Sequence, residues 1–172
     1  MTEFRTARLL LRPATLADAP AVTLGLGDFA VARQLTAMPW PFSLAMAIDW
    51  LRQSPAPTPD RGLFIVEVPG QGLAGCVTLS EELGFWIARR FWNRGYATEA
   101  AAAVLDWHFA GSAAPITAAA HRNNHASHAV QRKLGFVPVG EEMRFSQALQ
   151  SNIVHRVSRL EPVGWQARER AA

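Results

Sequence analysis

The run Glu82 to Ala100, ELGFWIARRFWNRGYATEA, puts an apolar strand, a glycine-containing loop and the start of an Ala-rich helix in direct succession. At such a junction the backbone N–H groups of Trp92, Asn93, Arg94, Gly95, Tyr96 and Ala97, with Thr98 behind them, turn toward one point. There the unpaired donors and the positive dipole end of the helix attract an anion, a pyrophosphate for example. Gly95 allows close backbone approach. Arg90 and Arg94 offer charge to phosphate oxygens, or equally sit in solvent. Standing alone, this block reads just as well as a ligand-free strand-to-helix turn.

A second block, NNHASHAVQRKLGF from Asn123 to Phe136, supplies hydroxyl, amide and imidazole groups around a helix start. Ser127 and Gln131 are four apart and share a helical face, and Asn124 precedes the first turn. Asn124 and Ser127 are helix caps on one reading and ligand contacts on the other. His121, His125 and His128 have gaps of four and three, but His121 follows a strand, so no metal site is expected from them. His108 and His155 read as structural.

These two blocks, in this order, resemble the GCN-related N-acetyltransferase (GNAT) superfamily. Its acetyl-CoA loop, Gln/Arg-x-x-Gly-x-Gly/Ala, matches Trp92 to Ala97 except at the first position. ELGFWI, FWNRGYATEA and NNHASHAVQRKLGF are similar to the branch that contains the ribosomal-protein N-terminal acetyltransferases. The resemblance implies acetyl-CoA as co-substrate, direct attack by an amine in a ternary complex, no metal and no covalent acyl-enzyme. It places the carrier where the strand at Glu82 to Ile87 parts from the strand at Ile116 to Ala120, with Trp86 and Ile87 beside it. It also implies a bulge near Trp86 to Ala88 that frees a backbone N–H for the thioester carbonyl.

Attack requires a neutral amine, and an α-amino group with pKa of about 8 loses its proton more readily than a lysine at about 10.4. The resemblance makes Glu82 the candidate base, although a strand-end carboxylate paired with an arginine accounts for it as well. The branch's distal glutamate falls on Ser146, with Glu141 and Glu142 a few residues earlier. The usual tyrosine acid falls on Gln131, and the chain's one tyrosine, Tyr96, lies in the phosphate loop, so Ser127 is the candidate acid. Trp40 and Phe42 either wall the acceptor pocket or anchor the next helix. The acceptor is a protein N-terminal amine or a small amine such as a polyamine, amino acid or antibiotic. A catalytically silent CoA-binding regulator is the alternative.

The elements that must position these groups begin with a strand at Arg8 to Arg12 and a helix from Thr15 to about Gly25. A short helix near Phe29 to Leu35 and a Ser43-capped helix stopping by Pro55 follow. Leu63 to Val68 and Leu73 to Leu79 form a hairpin, and Glu82 to Ile87 adds a strand. A helix from Ala97 to about Phe109, a parallel strand at Ile116 to Ala120, a helix from Ser127 to Leu134 ended by Gly135, and strands at Phe136 to Val139 and Ile153 to Leu160 complete the pattern. The tail after Pro162 reads as frayed. The expectation is an α/β fold over residues 1–172 in a single N-acetyltransferase domain. Its mixed central sheet is antiparallel in the first half and passes into a parallel β-α-β crossover.

With 172 residues, 49% hydrophobic and 18% charged, the chain can bury one adequate core. A lone Cys76 excludes an intramolecular disulfide and suits a reducing, cytoplasmic setting. The apolar run near the N-terminus is too short for a signal or membrane segment. Net charge is +3, but the basic residues are scattered, which disfavours nucleic acid as partner and suits a phosphate-bearing one. A monomer and a homodimer are both compatible with the pattern.

Overall fold

The computed structural model describes residues 2–54 and 56–171, with side chains as far as 166. Pro55, where the third helix was expected to stop, lies outside the described residues. The strands are β1 (Phe4–Arg5), β2 (Leu10–Pro13), β3 (Gly62–Val68), β4 (Gly72–Leu79), β5 (Gly84–Ile87), β6 (Ile116–His121), β7 (Val137–Ser146) and β8 (Ser151–Leu160). The helices are α1 (Ala19–Leu26), α2 (Phe29–Ala32), α3 (Leu44–Arg52), α4 (Tyr96–Gly111), α5 (His125–Lys133) and α6 (Pro162–Ala171). None of the described helices is long and apolar enough to cross a membrane.

β3 and β4 form the expected hairpin, and their near-continuous apolar sequence follows from helices on both faces. Phe64, Val66 and Val77 pack with Val104 and Leu105 of α4, whereas Leu63, Ile65 and Cys76 pack with Val22 and Leu26 of α1 and Leu51 of α3. Side chains alternate across a strand, so each face needs its own apolar set. The first of these cores also takes in Ile116, Leu134, Leu160 and Trp165, which ties the C-terminal strands to the N-terminal ones. Ser43 caps α3 as expected, its hydroxyl accepting from the Met46 N–H at 3.3 Å.

The parallel step from β5 through α4 to β6 is kept to a single bridge, and the strands on either side of it divide into two sheets. Five strands form one antiparallel sheet in the order β1-β2-β3-β4-β5, and three form a second in the order β6-β8-β7, also antiparallel. β8 inserts beside β6 because its hairpin with β7 reverses the chain. β5 and the β6 region meet in a parallel sense at one isolated bridge, Glu82 to Thr117. Leu83 N–H donates to the Thr117 carbonyl at 2.8 Å, and Thr117 N–H to that of Glu81 at 3.2 Å. Beyond this bridge the two sheets part.

Three other expectations also change. The register from Thr78↔Gly84 to Gly75↔Ile87 is unbroken, so β5 carries no bulge at Trp86 to Ala88. The irregularity sits one strand over, where β4 has Ala74 as an extra residue opposite Val66 and Glu67. β7 runs to Ser146, well past Val139, because β8 pairs with it throughout; as an edge strand it is mostly exposed and shows no burial alternation. Finally, the chain after Pro162 is helical, and Trp165 is 2% exposed with its indole N–H donated to Asp106 at 3.0 Å.

Candidate functional site

Where the sheets part, a cleft of ≈ 700 Å³ opens between β5, the start of α4, β6 and α5. The alternation of β5 decides which of its amides face this cleft. Ala88 N–H donates back to Ala74 in β4 at 2.7 Å, whereas Leu83 N–H points the other way, to Thr117. Phe85 and Ile87 share the parity of Leu83. Their N–H groups are therefore turned toward the space that β6 has vacated. Divergence of two strands does here what a bulge was expected to do.

At the far end of the cleft the loop from Trp92 to Thr98 takes the conformation that its glycine permits. Asn93 (φ 60°) and Gly95 (φ 77°) are both left-handed, and Gly95 is the N-cap of α4. No side chain caps this helix. The first helical bond is Glu99 N–H to the Gly95 carbonyl, 3.1 Å, so the amides of Tyr96, Ala97 and Thr98 have no backbone acceptor within the helix. All seven loop residues line the cleft. The Trp92 indole N–H donates to the Ile87 carbonyl at 2.6 Å, which locks the loop to the end of β5 and gives a physical reason for an aromatic group at that position.

Arg8 braces this loop from outside the motif. Its guanidinium donates to the Arg94 carbonyl (2.9 Å) and to the Glu99 carboxylate (2.7 Å), and lies 5.0 Å from the Tyr96 ring centroid. Thr6 adds its hydroxyl to Glu99 at 2.5 Å. Burial alone would raise the Glu99 pKa, but these hydrogen bonds hold its carboxyl below the usual range. Glu99 is thereby turned away from the amides of the first turn and leaves them open to an anion. Arg94 lines the cleft, whereas Arg90 is stacked over Phe91 at 4.6 Å outside it.

On the α5 side, Asn124 is the N-cap, and its side-chain oxygen accepts from the Ser127 N–H at 3.1 Å. Ser127 is half-buried and lines the cleft, and its hydroxyl has no hydrogen-bond partner among the described residues. Capping is thus done by Asn124, and the Ser127 hydroxyl is left to turn. Ser146 is fully buried, and its hydroxyl accepts from Leu149 N–H at 3.3 Å. Cys76 is also fully buried, and that burial pushes its thiol well above the usual range.

At the opposite end of the cleft, Glu82 is held by Arg144 of β7 through two hydrogen bonds of 2.9 and 2.7 Å, and Arg144 also donates to Glu142 at 2.5 Å. The bond to Glu82, against the opposing effect of burial, raises the Arg144 pKa. Gln34, Thr36, Met38 and Trp50 complete this end. Trp40 and Phe42 do not line the cleft. Trp40 packs on Phe29 at 4.8 Å and donates its indole N–H to Gly27 at 3.1 Å, while Phe42 is buried with Ala47, Leu51 and Ile65. Arg8 and Arg144 escaped the sequence reading because long-range pairs leave no local spacing.

The Acetyltransferase (GNAT) domain model matches residues 8–137. The chain belongs to this acetyltransferase family. Solved structures of like fold include a GNAT-family acetyltransferase from Bacillus anthracis, at 21% identity and TM-score 0.76, covering 94% of this chain and 99% of that one. The ribosomal-protein-S5-alanine acetyltransferase of Vibrio fischeri is similar at 17% identity and TM-score 0.77, covering 96% and 99%. RimJ of Mycobacterium smegmatis, solved in complex with CoA-disulfide, is similar at 21% identity and TM-score 0.76, covering 94% and 90%. No curated protein matches the chain. Within the GNAT family, the cleft between β5 and β6 is the site whose chemistry has to be explained.

Proposed function

We propose that this GNAT protein, as one catalytic domain in the cytoplasm, transfers acetyl from acetyl-CoA to an α-amino group, a protein N-terminus being the first candidate. The observation that carries the reading is the continuity of the cleft. It runs from the uncapped amides of Tyr96 to Thr98, past the N–H groups of Phe85 and Ile87, to the Glu82–Arg144 pair. The loop amides, Arg94 and the helix dipole suit a diphosphate. An amide on β5 suits a carbonyl oxygen on which negative charge develops. The Ser127 hydroxyl is free to protonate a departing thiolate, and Asn124, held as the cap, keeps its amide toward the same space. Cys76, buried and with its thiol pKa raised, offers no nucleophile, so direct attack by the amine fits better than an acyl-enzyme.

The preference for an α-amine comes from the missing base. Among the described lining residues Glu82 is the sole carboxylate and there is no imidazole. Both oxygens of Glu82 are engaged by Arg144, so protonating it would break a bidentate pair. An acceptor that arrives already neutral is then favoured. At pH 7.5 an amine of pKa about 8 has roughly 200-fold more neutral form than one of pKa about 10.4. Glu82 in this reading orients the amine and keeps Arg144 in place. Thiol release from acetyl-CoA, measured with N-terminal peptides, amino acids, polyamines and aminoglycosides, tests it. Turnover with peptides or amino acids supports the reading; turnover restricted to polyamines or other amines of high pKa would overturn the choice of acceptor.

A further inference from the structure

Gln131 of α5 is 3% exposed and lines not only the main cleft but also a second, smaller cavity of ≈ 110 Å³ on the other side of the helix. Its side-chain oxygen is buried with no partner among the described residues, and so is Nδ1 of His128, a residue that lines the same cavity. The tautomer of His128 follows from its other nitrogen. Nε2 lies 3.0 Å from the His121 carbonyl, which can only accept, so Nε2 carries a hydrogen and Nδ1 of the neutral ring is an acceptor. Two buried acceptors thus belong to residues that border one polar space, and neither is given a donor by the described residues. Leaving both unmet is costly. The rest of the wall is Arg132, Arg156, Ser158, Phe136 and Pro138, with no carboxylate among the described lining residues.

We propose that this cavity holds ordered water donating to both Gln131 Oε1 and His128 Nδ1, and that this water supplies the proton for the departing thiolate of the acetyl-transfer reaction. The volume has room for about three waters at roughly 30 Å³ each, and a single water has the two hydrogens that the two acceptors need. Arg132 is exposed and Arg156 half-exposed, so the cavity exchanges with solvent at its outer end. Gln131, standing in both spaces, is the positioning residue at the inner end. In the step itself a water O–H gives its proton toward the thiolate sulfur, directly or through the Ser127 hydroxyl. The oxygen is reprotonated from solvent through the outer mouth of the cavity, while the neutral His128 ring keeps its hydrogen on Nε2 and its Nδ1 as acceptor. The two arginines favour the transient negative charge on that oxygen.

The proposal rests on the acetyl-transfer reading for its function, though the water site itself does not. A high-resolution crystal structure of the full chain is expected to show density within hydrogen-bond distance of both Gln131 Oε1 and His128 Nδ1; a dry cavity, or one filled by a rotated arginine, overturns the site. In steady-state kinetics, Gln131→Leu is expected to lower kcat roughly tenfold with little change in KM for acetyl-CoA. His128→Gln, which replaces the ring acceptor, should do the same. An unaltered kcat in both overturns the proton role even if water is seen. Should Gln131→Leu fold poorly, His128→Gln and the solvent deuterium isotope effect of the parent protein carry the test: the effect should shrink in the variant, and an unchanged value counts against the relay. An enzyme that turns over no amine at all fails the parent reading instead, with the water site still open to view.

Discussion

Arg144 donates to both oxygens of Glu82 across a sequence separation of 62, and neither residue is fully exposed, at 29% and 33% of their side-chain surface. This pair lines the cleft at the end where the proposed function seats the acceptor. Glu82→Gln is therefore expected to leave the pH of half-maximal activity tied to the pKa of the amine supplied. A curve that loses its basic dependence in Glu82→Gln would instead make Glu82 the base. Arg144→Ala frees the carboxylate and is expected to raise KM for the acceptor more than for acetyl-CoA; bisubstrate kinetics separates the two.

Gly95→Val places a β-branched residue at φ 77°, with its Cβ 3.4 Å from the Arg8 guanidinium. The backbone alone resists by about 1–2 kcal/mol. The expected outcome is a weakening of acetyl-CoA binding by roughly tenfold or more at this strain, with acceptor KM changed less. Calorimetry with acetyl-CoA reads it directly, and unaltered binding would remove the loop from the phosphate role.

Ser127→Ala is expected to lower turnover while acetyl-CoA affinity stays near that of the parent protein, because Asn124 and not Ser127 caps α5. Asn124→Ala should cost about 1 kcal/mol of stability. Equal loss of acetyl-CoA affinity in both variants would make Ser127 structural.

The Glu99 pKa is lowered in the folded state, so the stability it contributes is present above the unfolded value of about 4.3 and disappears as pH falls through the folded value. Arg8→Ala should remove about 1 kcal/mol at neutral pH, discounted for the half-exposed guanidinium, and less at pH 3. Urea midpoints at the two pH values check the sign. The same variant should raise KM for acetyl-CoA, since Arg94 loses the partner of its carbonyl.

How far the sequence could be read depended on the range of the interaction. The hairpin of β3 and β4, the Ser43 cap and the Gly95 loop are local, and their residue types were sufficient. On the carrier side Trp86, Ile87, the loop from Trp92 to Thr98, Asn124 and Ser127 all line the cleft, whereas Arg90 lies outside it. β7 was cut short at Val139 because an exposed edge strand has no apolar alternation to reveal it. Trp40 and Phe42 read either as an acceptor wall or as an anchor for the next helix; Phe42 packs with Ala47 and Leu51 of α3, as an anchor would, and Trp40 lies against Gly27 and Phe29, partners that local sequence does not announce. The antiparallel insertion of β8 beside β6 is long-range pairing, and nothing in either strand alone announces it.

Among the described residues the backbones of the two sheets meet in a single bridge, Glu82 to Thr117, like a book with one thread in the spine. Whatever molecule lies along the gutter supplies fastenings that the polypeptide lacks, so the carrier should act as a mechanical staple as well as a reagent. At a free concentration of 100 times its dissociation constant, about 2.7 kcal/mol of added resistance to unfolding is expected. Amide exchange should slow on both banks of the gutter together, at Phe85 and Ile87 and at Ala118 to Ala120, rather than in the outer strands.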